Sequence, residues 1–181
     1  MGEVPHNSST PAGLCGPVDI DEVLPILNEI SIFAGLSGGQ LRKLVQLLDK
    51  VCYRAGDVIF EQGTKPSHIY IVLKGRVKIV ANADGTPLEL VVFEPGRCFG
   101  ETSVIGIQPH AASAIATENT ELIVLSRSAL LNLFKSDIEL FSVLILNIAR
   151  EACRRLHRTD EIILHYVMRN ETAPDSGPSP H

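Results

Sequence analysis

The stretch Phe99-Gly-Glu-Thr-Ser-Val-Ile-Gly-Ile-Gln-Pro-His-Ala-Ala-Ser113 gathers residue types that can hold an anion and a hydroxyl at one corner. Gly100 frees the chain to turn, and Glu101, Thr102 and Ser103 follow at once, which predicts one short helical turn. The first N–H groups of such a turn have no partner inside it. They point outward, where the positive end of the peptide dipoles favours a negative group such as phosphate. Glu101 beside them is an acceptor only, suited to a hydroxyl and hostile to a misplaced phosphate. His110 stands nine positions after Glu101, and imidazole can offer one donor to an anion. Read without that chemistry, Glu101-Thr102 opens an ordinary short helix and His110 is hydrogen-bonded at a loop surface.

Such a corner needs stiff flanks, and the chain supplies two kinds. Between Val51 and Ser126, apolar, β-branched and aromatic residues come in short segments: Val58 to Phe60, His68 to Leu73, Val77 to Val80, Leu88 to Phe93, Ala114 to Ala116 and Leu122 to Leu125. Gly56, Gly63, Gly75, Gly85 and Gly96 mark the turns. Strands at this spacing with no helices between them predict an antiparallel sandwich or barrel. On either side the period changes to that of helices. Asp19 to Asn28 spaces Val23, Ile26 and Leu27 on one face, and Ser37 to Leu48 does the same with Leu41, Leu44, Val45 and Leu48. Ser128 to Phe134 predicts a short helix and Asp137 to Met168 a long one. Along the long helix Phe141, Ile145, Ile148, Ala152, Leu156 and Ile163 form a seam spaced for packing along another helix.

The 181 residues suffice for one domain with a real core. A net charge of −5 and the lack of a clustered basic face argue against nucleic acid, so DNA is not an expected partner. The first ten residues hold no apolar signal core, and Leu140 to Ala149 is interrupted by Ser142 and Asn147 and too short to span a bilayer. Neither export nor a membrane partner is therefore expected. Cys15, Cys52, Cys98 and Cys153 lack C-x-x-C spacing, which predicts reduced thiols in the cytoplasm rather than a disulfide frame or a zinc site. Residues 1–18 and 169–181 read as loose tails around a domain at 19–168, whose helix at 137–168 joins two copies.

Taken in order, Ala55-Gly56-Asp57 through Gly63, Tyr70 through Gly75 to Ile79, Phe93-Glu94-Pro95-Gly96 and Phe99-Gly100-Glu101 make the chain resemble the cyclic-nucleotide-binding domain family over about residues 25–165. The fold this implies is mainly β, an eight-stranded antiparallel jelly roll with N-terminal helices and a long C-terminal helix. The stretch from Phe99 to Ser113 then resembles the family's phosphate-binding cassette. The resemblance implies that Glu101 accepts the ribose 2′-hydroxyl and that Gly100, Thr102 and Ser103 offer amides to the cyclic phosphate. It further implies that Ala111 offers another amide and that Ser113 lies near the purine. Where ligand-binding members carry an arginine, this chain has His110. The segment Arg154-Arg155-Leu156-His157-Arg158-Thr159 is similar to the adenine-reaching part of the long helix in catabolite-activator-type regulators. That makes Thr159 a base contact and favours cyclic AMP over cyclic GMP. Asp160 departs from the serine found there, and the similarity stops before those regulators' helix-turn-helix.

Exchanging a guanidinium for an imidazole is costly. Arginine is always charged and offers two parallel donors, whereas at its ordinary pKa only about a quarter of a histidine population is charged at pH 7. The lost charge and hydrogen bond sum to about 2–4 kcal/mol, or about thirty- to a thousandfold in affinity. Pro109 is expected to aim the ring where the arginine would be. Three readings follow. The first is a stand-alone ligand-sensing domain without a cofactor, binding cyclic AMP or else cyclic GMP, dimerised through its long helix and signalling to an effector protein. The second is a degenerate site in a protein-interaction or dimerisation module. The third is a cupin-type metal enzyme, but His68, His110, His157 and His165 lack the close pairing such a site uses, so no enzyme is expected.

Overall fold

Strand β4 (His68–Lys74) is buried continuously from Ile69 to Leu73, an apolar run that suits a strand covered on both faces. The structure, a computed structural model, describes residues 13–83 and 85–171. Side chains alternate along a strand, and each half of β4 has its own partners. Ile69, Ile71 and Leu73 enter a cluster with Ile123 and Leu125 of β9 (Thr120–Ser126) and with helical residues such as Leu27, Leu44, Leu140 and Leu144. Tyr70 and Val72 point the other way, toward Val77, Phe93, Phe99, Ala114, Leu122 and Val124. The first cluster cements helices to a sheet, and the second fills the space between two sheets.

The remaining strands are β1 (Gly13–Leu14), β2 (Leu48–Tyr53), β3 (Val58–Phe60), β5 (Val77–Ala83), β6 (Thr86–Phe93), β7 (Cys98–Phe99) and β8 (Ser113–Ala116). One sheet has the order β1-β2-β9-β4-β7 and the other β3-β8-β5-β6, every pairing antiparallel. Strands β2 to β9 make the expected eight-stranded jelly roll. The predicted turn glycines all have positive φ. At Gly75 space adds to the backbone requirement, because a Cβ there would stand 2.6 Å from the Asn119 carbonyl oxygen.

The helices are α1 (Ile20–Glu29), a 3-10 turn (Ser31–Phe33), α2 (Gly38–Val45), α3 (Glu101–Gly106), α4 (Arg127–Ser136) and α5 (Ile138–Glu171). Helix α2 begins in a capping box, Ser37 Oγ accepting from the Gln40 N–H and Gln40 Oε1 from the Ser37 N–H. It ends at Val45, short of the Leu48 expected from periodicity. Leu48 instead opens β2, which pairs with β9 from Leu48↔Leu125 to Tyr53↔Thr120. The Leu48 side chain is still buried in the helical cluster, so one apolar position satisfies both patterns.

Three expectations need correction. The seam on α5 is spent first on its own chain: Ile148 is buried beside Leu140 and Leu144, and Phe141 and Ile145 pack against the same cluster. The Asn147 amide donates to the carbonyls of Ile32 (3.2 Å) and Ala34 (2.8 Å), and the Ser31 hydroxyl donates to Glu151 (2.9 Å), fixing α5 to the 3-10 turn. Farther along the helix Leu156, Ile162, Ile163, Leu164 and Val167 are exposed. Cysteines 15 and 52 are joined in a disulfide, and only Cys98, buried, and Cys153, exposed, are free among the described residues. Their wide spacing hid the pair because strand pairing, Gly13↔Cys52 and Leu14↔Val51, brings the segments together; the thiol argument for a reducing cytoplasm fails for them. That pairing also holds part of the expected N-terminal tail, while residues 1–12 and 172–181 of the two tails lie outside the described residues. No described helix is long and apolar enough to cross a membrane.

Candidate functional site

Gly100 carries φ 82° and ψ −12°, and α3 starts on the next residue. A Cβ at this position would meet the His68 carbonyl oxygen at 3.0 Å and the Tyr70 ring at 3.1 Å, so both conformation and space call for glycine. The Val104 N–H donates to the Gly100 carbonyl (3.1 Å), and Val104 anchors the turn in the helical cluster. No side chain caps α3, which leaves the first-turn amides of Glu101, Thr102 and Ser103 as its donors. Thr102 and Ala111 are exposed and Ser103 half-buried.

Glu101 is wholly buried. Its Oε1 accepts from Nη1 of Arg155 on α5, and its Oε2 has no hydrogen-bond partner among the described residues. Burial pushes the Glu101 carboxyl above the usual carboxylate range, while the Arg155 charge and the residue's own N–H oppose the shift. The Arg155 guanidinium stands over the Phe93 ring, 5.3 Å from its centroid. Next to Glu101, burial first and the two neighbouring carboxylates second push the Cys98 thiol up to about 12, so it is no nucleophile.

The His110 ring, which Pro109 was expected to aim where the arginine would be, packs on a neighbouring ring. It lies flat on Phe60, centroids 3.7 Å and planes 11° apart, and is 4% exposed. Backbone bonds from the Gly63 N–H to the His110 carbonyl (2.8 Å) and from the His110 N–H to the Thr64 carbonyl (3.0 Å) hold it against the β3–β4 connection. Burial holds its pKa below the ordinary value, which favours the neutral ring. From His110 the aromatic contacts continue through Phe60, Phe99 and Phe93 to Arg155.

Two other expected contacts are not gathered at this corner. Ser113 accepts the Gln62 N–H (2.9 Å) and, by strand alternation, faces away from Ala114 and Ala116, which are buried toward the roll interior. With Val58, Glu61, Gln62, Asn82 and Ile115 it lines a shallow cleft of about 490 Å³. Thr159 is exposed on α5, its hydroxyl donating to the Arg155 carbonyl one turn earlier (3.0 Å). The residues that sequence reasoning missed are Arg155 and Phe93. Arg155 belongs to the helix segment that resembled the regulators, but only tertiary packing carries its guanidinium to Glu101. Among the described residues no group of three or more His, Cys, Asp or Glu side chains is placed to hold a metal ion.

A jelly roll with a glycine-opened helical turn, a buried carboxylate on that turn and a long helix that reaches it through Arg155 defines the class of fold. Residues 50–137 match the sequence profile described as "Cyclic nucleotide-binding domain", and the chain carries a domain of that family. It is 29% identical over 136 residues to the CRP-like cAMP-activated global transcriptional regulator of Mycobacterium tuberculosis, 75% of this chain and 59% of that one. It is also 29% identical over 111 residues to the cGMP-dependent protein kinase egl-4 of Caenorhabditis elegans, 60% of this chain and 14% of the kinase. The chain thus spans less than two thirds of these relatives. The crystal structure of a cyclic nucleotide-binding domain from Methylobacillus flagellatus superposes with a TM-score of 0.72, covering 87% of this chain and 86% of that one; at 22% identity it shows the fold.

Proposed function

We propose that the chain senses a cyclic nucleotide, with cyclic AMP the favoured ligand, and reports occupancy through α5. The observation that carries this reading is the free Oε2 of the buried Glu101, directly behind the uncapped turn opened by Gly100. A buried carboxylate oxygen without a donor costs free energy, and a ribose hydroxyl would supply the donor. The amides of Thr102 and Ser103, with that of Ala111, would receive the phosphate. Thr159, one turn beyond Arg155, keeps its hydroxyl oxygen free to accept from the adenine amino group. The exposed apolar end of α5, with Leu156 and Ile163, suits a second copy of the chain, and a partner protein would read the helix position.

Calorimetric titration with cyclic AMP and cyclic GMP tests this reading. Binding of cyclic AMP, tighter than cyclic GMP and weakened by Glu101→Gln, is the expected result. A second reading is favoured by the Arg155–Glu101 contact and by the packing of His110 on Phe60, which together occupy the acceptor and withdraw the cassette histidine. In that case the domain is an interaction module. Absence of heat at millimolar concentrations of both nucleotides would decide for it.

A further inference from the structure

Resting on the cyclic-nucleotide reading, the geometry points to Arg155, not His110, as the residue that takes the negative charge of the phosphate, so that the long helix itself holds the anion. Between Cys98 and Ser126 the chain has no Lys or Arg, so the cassette brings no fixed cation of its own. The His110 imidazole is turned onto Phe60 and buried. Two other guanidinium groups are engaged elsewhere: Arg154 pairs with Glu151 and Arg76 with Glu94. Arg155 alone of these reaches Glu101, and its side chain remains 37% exposed.

The guanidinium is suited to serving two anions at once. It carries five N–H donors in a rigid fork, and Glu101 Oε1 engages one end of it. Phe93 supports one face of the guanidinium, which leaves an edge for a second acceptor. The charges of Glu101 and Arg155 cancel, so a cyclic phosphate entering beside them adds one negative charge to a neutral pair. Sharing Arg155 offsets that charge, whereas two anions at the corner without it would repel. An anion held between the amides of α3 and a side chain of α5 bridges the two elements. Phosphate binding would therefore depend on where α5 lies, which is the differential contact that coupling requires.

Titration of the full chain with cyclic AMP and with adenosine, which keeps the base and the ribose 2′-hydroxyl but has no phosphate, separates the roles. Arg155→Gln should weaken cyclic AMP by about ten- to a hundredfold, the range of a lost charge-assisted hydrogen bond, and leave adenosine within about twofold. Arg155→Lys, which keeps the charge and loses the fork, should fall between. An equal loss for both ligands would make Arg155 a positioning residue for Glu101 and overturn the assignment, as would unchanged cyclic AMP affinity. Should Arg155→Gln fail to fold, Arg155→Lys decides by the same comparison: loss for cyclic AMP alone supports the assignment, and no loss overturns it. A wild-type chain that ignores cyclic AMP overturns the assignment together with the reading beneath it. A wild-type chain that binds it, with both variants unaffected, overturns the assignment alone.

Discussion

The imidazole of His110 lies flat against the phenyl ring of Phe60, 3.7 Å between centroids and 11° between planes. A ring placed this way adds to the interior of the roll, and its burial lowers its pKa and so disfavours the charged form. The residue nine positions after Glu101 thus contributes to packing between the β3–β4 connection and the roll.

The stack makes stability sensitive to acid. Burial lowers the pKa of both His68 and His110 from 6.5, so the unfolded chain takes up protons first as the pH falls. Their contribution is complete above about pH 6.5 and is lost below it as the unfolded state gains protons. Glu101, whose pKa is raised, acts in the opposite sense, its contribution being lost as the pH rises from the ordinary carboxylate value through its raised folded value. Thermal melting at pH 7.5 should thus exceed that at pH 5.5, and His110→Phe, which keeps the stack, should shrink the difference. An identical pH difference in that variant would remove His110 from the account.

The disulfide between Cys15 and Cys52 encloses α1, the 3-10 turn and α2 at a sequence separation of 37. Constraining a loop of this size stabilises a domain by about 2–4 kcal/mol. Dithiothreitol should lower the urea midpoint, and Cys15→Ser/Cys52→Ser should match the reduced wild type. Thiol titration that finds no Cys15–Cys52 bond in air-oxidised protein would refute the pairing.

Gly75 and Gly96 share φ 81°, but only Gly75 has neighbours within reach of a Cβ. Alanine at either site meets a left-handed backbone cost of about 1–2 kcal/mol. At Gly75 the backbone of Asn119 and Thr120 must also move. Gly75→Ala should be the less stable variant by more than about 1 kcal/mol, and equal midpoints would show that the turn relaxes freely.

Two ends of one helix should answer differently to mutation. Ile148→Ala removes a buried side chain and should cost about 2–5 kcal/mol with no change in association. Leu156→Glu/Ile163→Glu alters exposed positions and should leave the melting of the roll intact while converting a dimer to monomer in sedimentation. A monomeric wild type would sink the second expectation.

Much of the fold was legible because its signals are local. Positive-φ glycines punctuated the strands, the run His68 to Leu73 announced a strand, and Gly100-Glu101-Thr102-Ser103 announced α3. Short strands were harder. Strand β7 is two residues long and β2 follows a helix whose apolar period runs into it, so neither carries a pattern of its own. The α5 seam had the right spacing but not the right partner, since periodicity states that a face is apolar and never what covers it.

The sequence by itself determined the strand segments with their glycine corners, the glycine-opened turn and the carboxylate of Glu101, since each depends on neighbours a few residues away. Tertiary structure alone decided that Arg155 reaches Glu101 across 54 residues, that His110 turns onto Phe60, and that Cys15 meets Cys52. Those outcomes depend on how sheets and helices pack, and a linear pattern carries no record of which distant surfaces will touch.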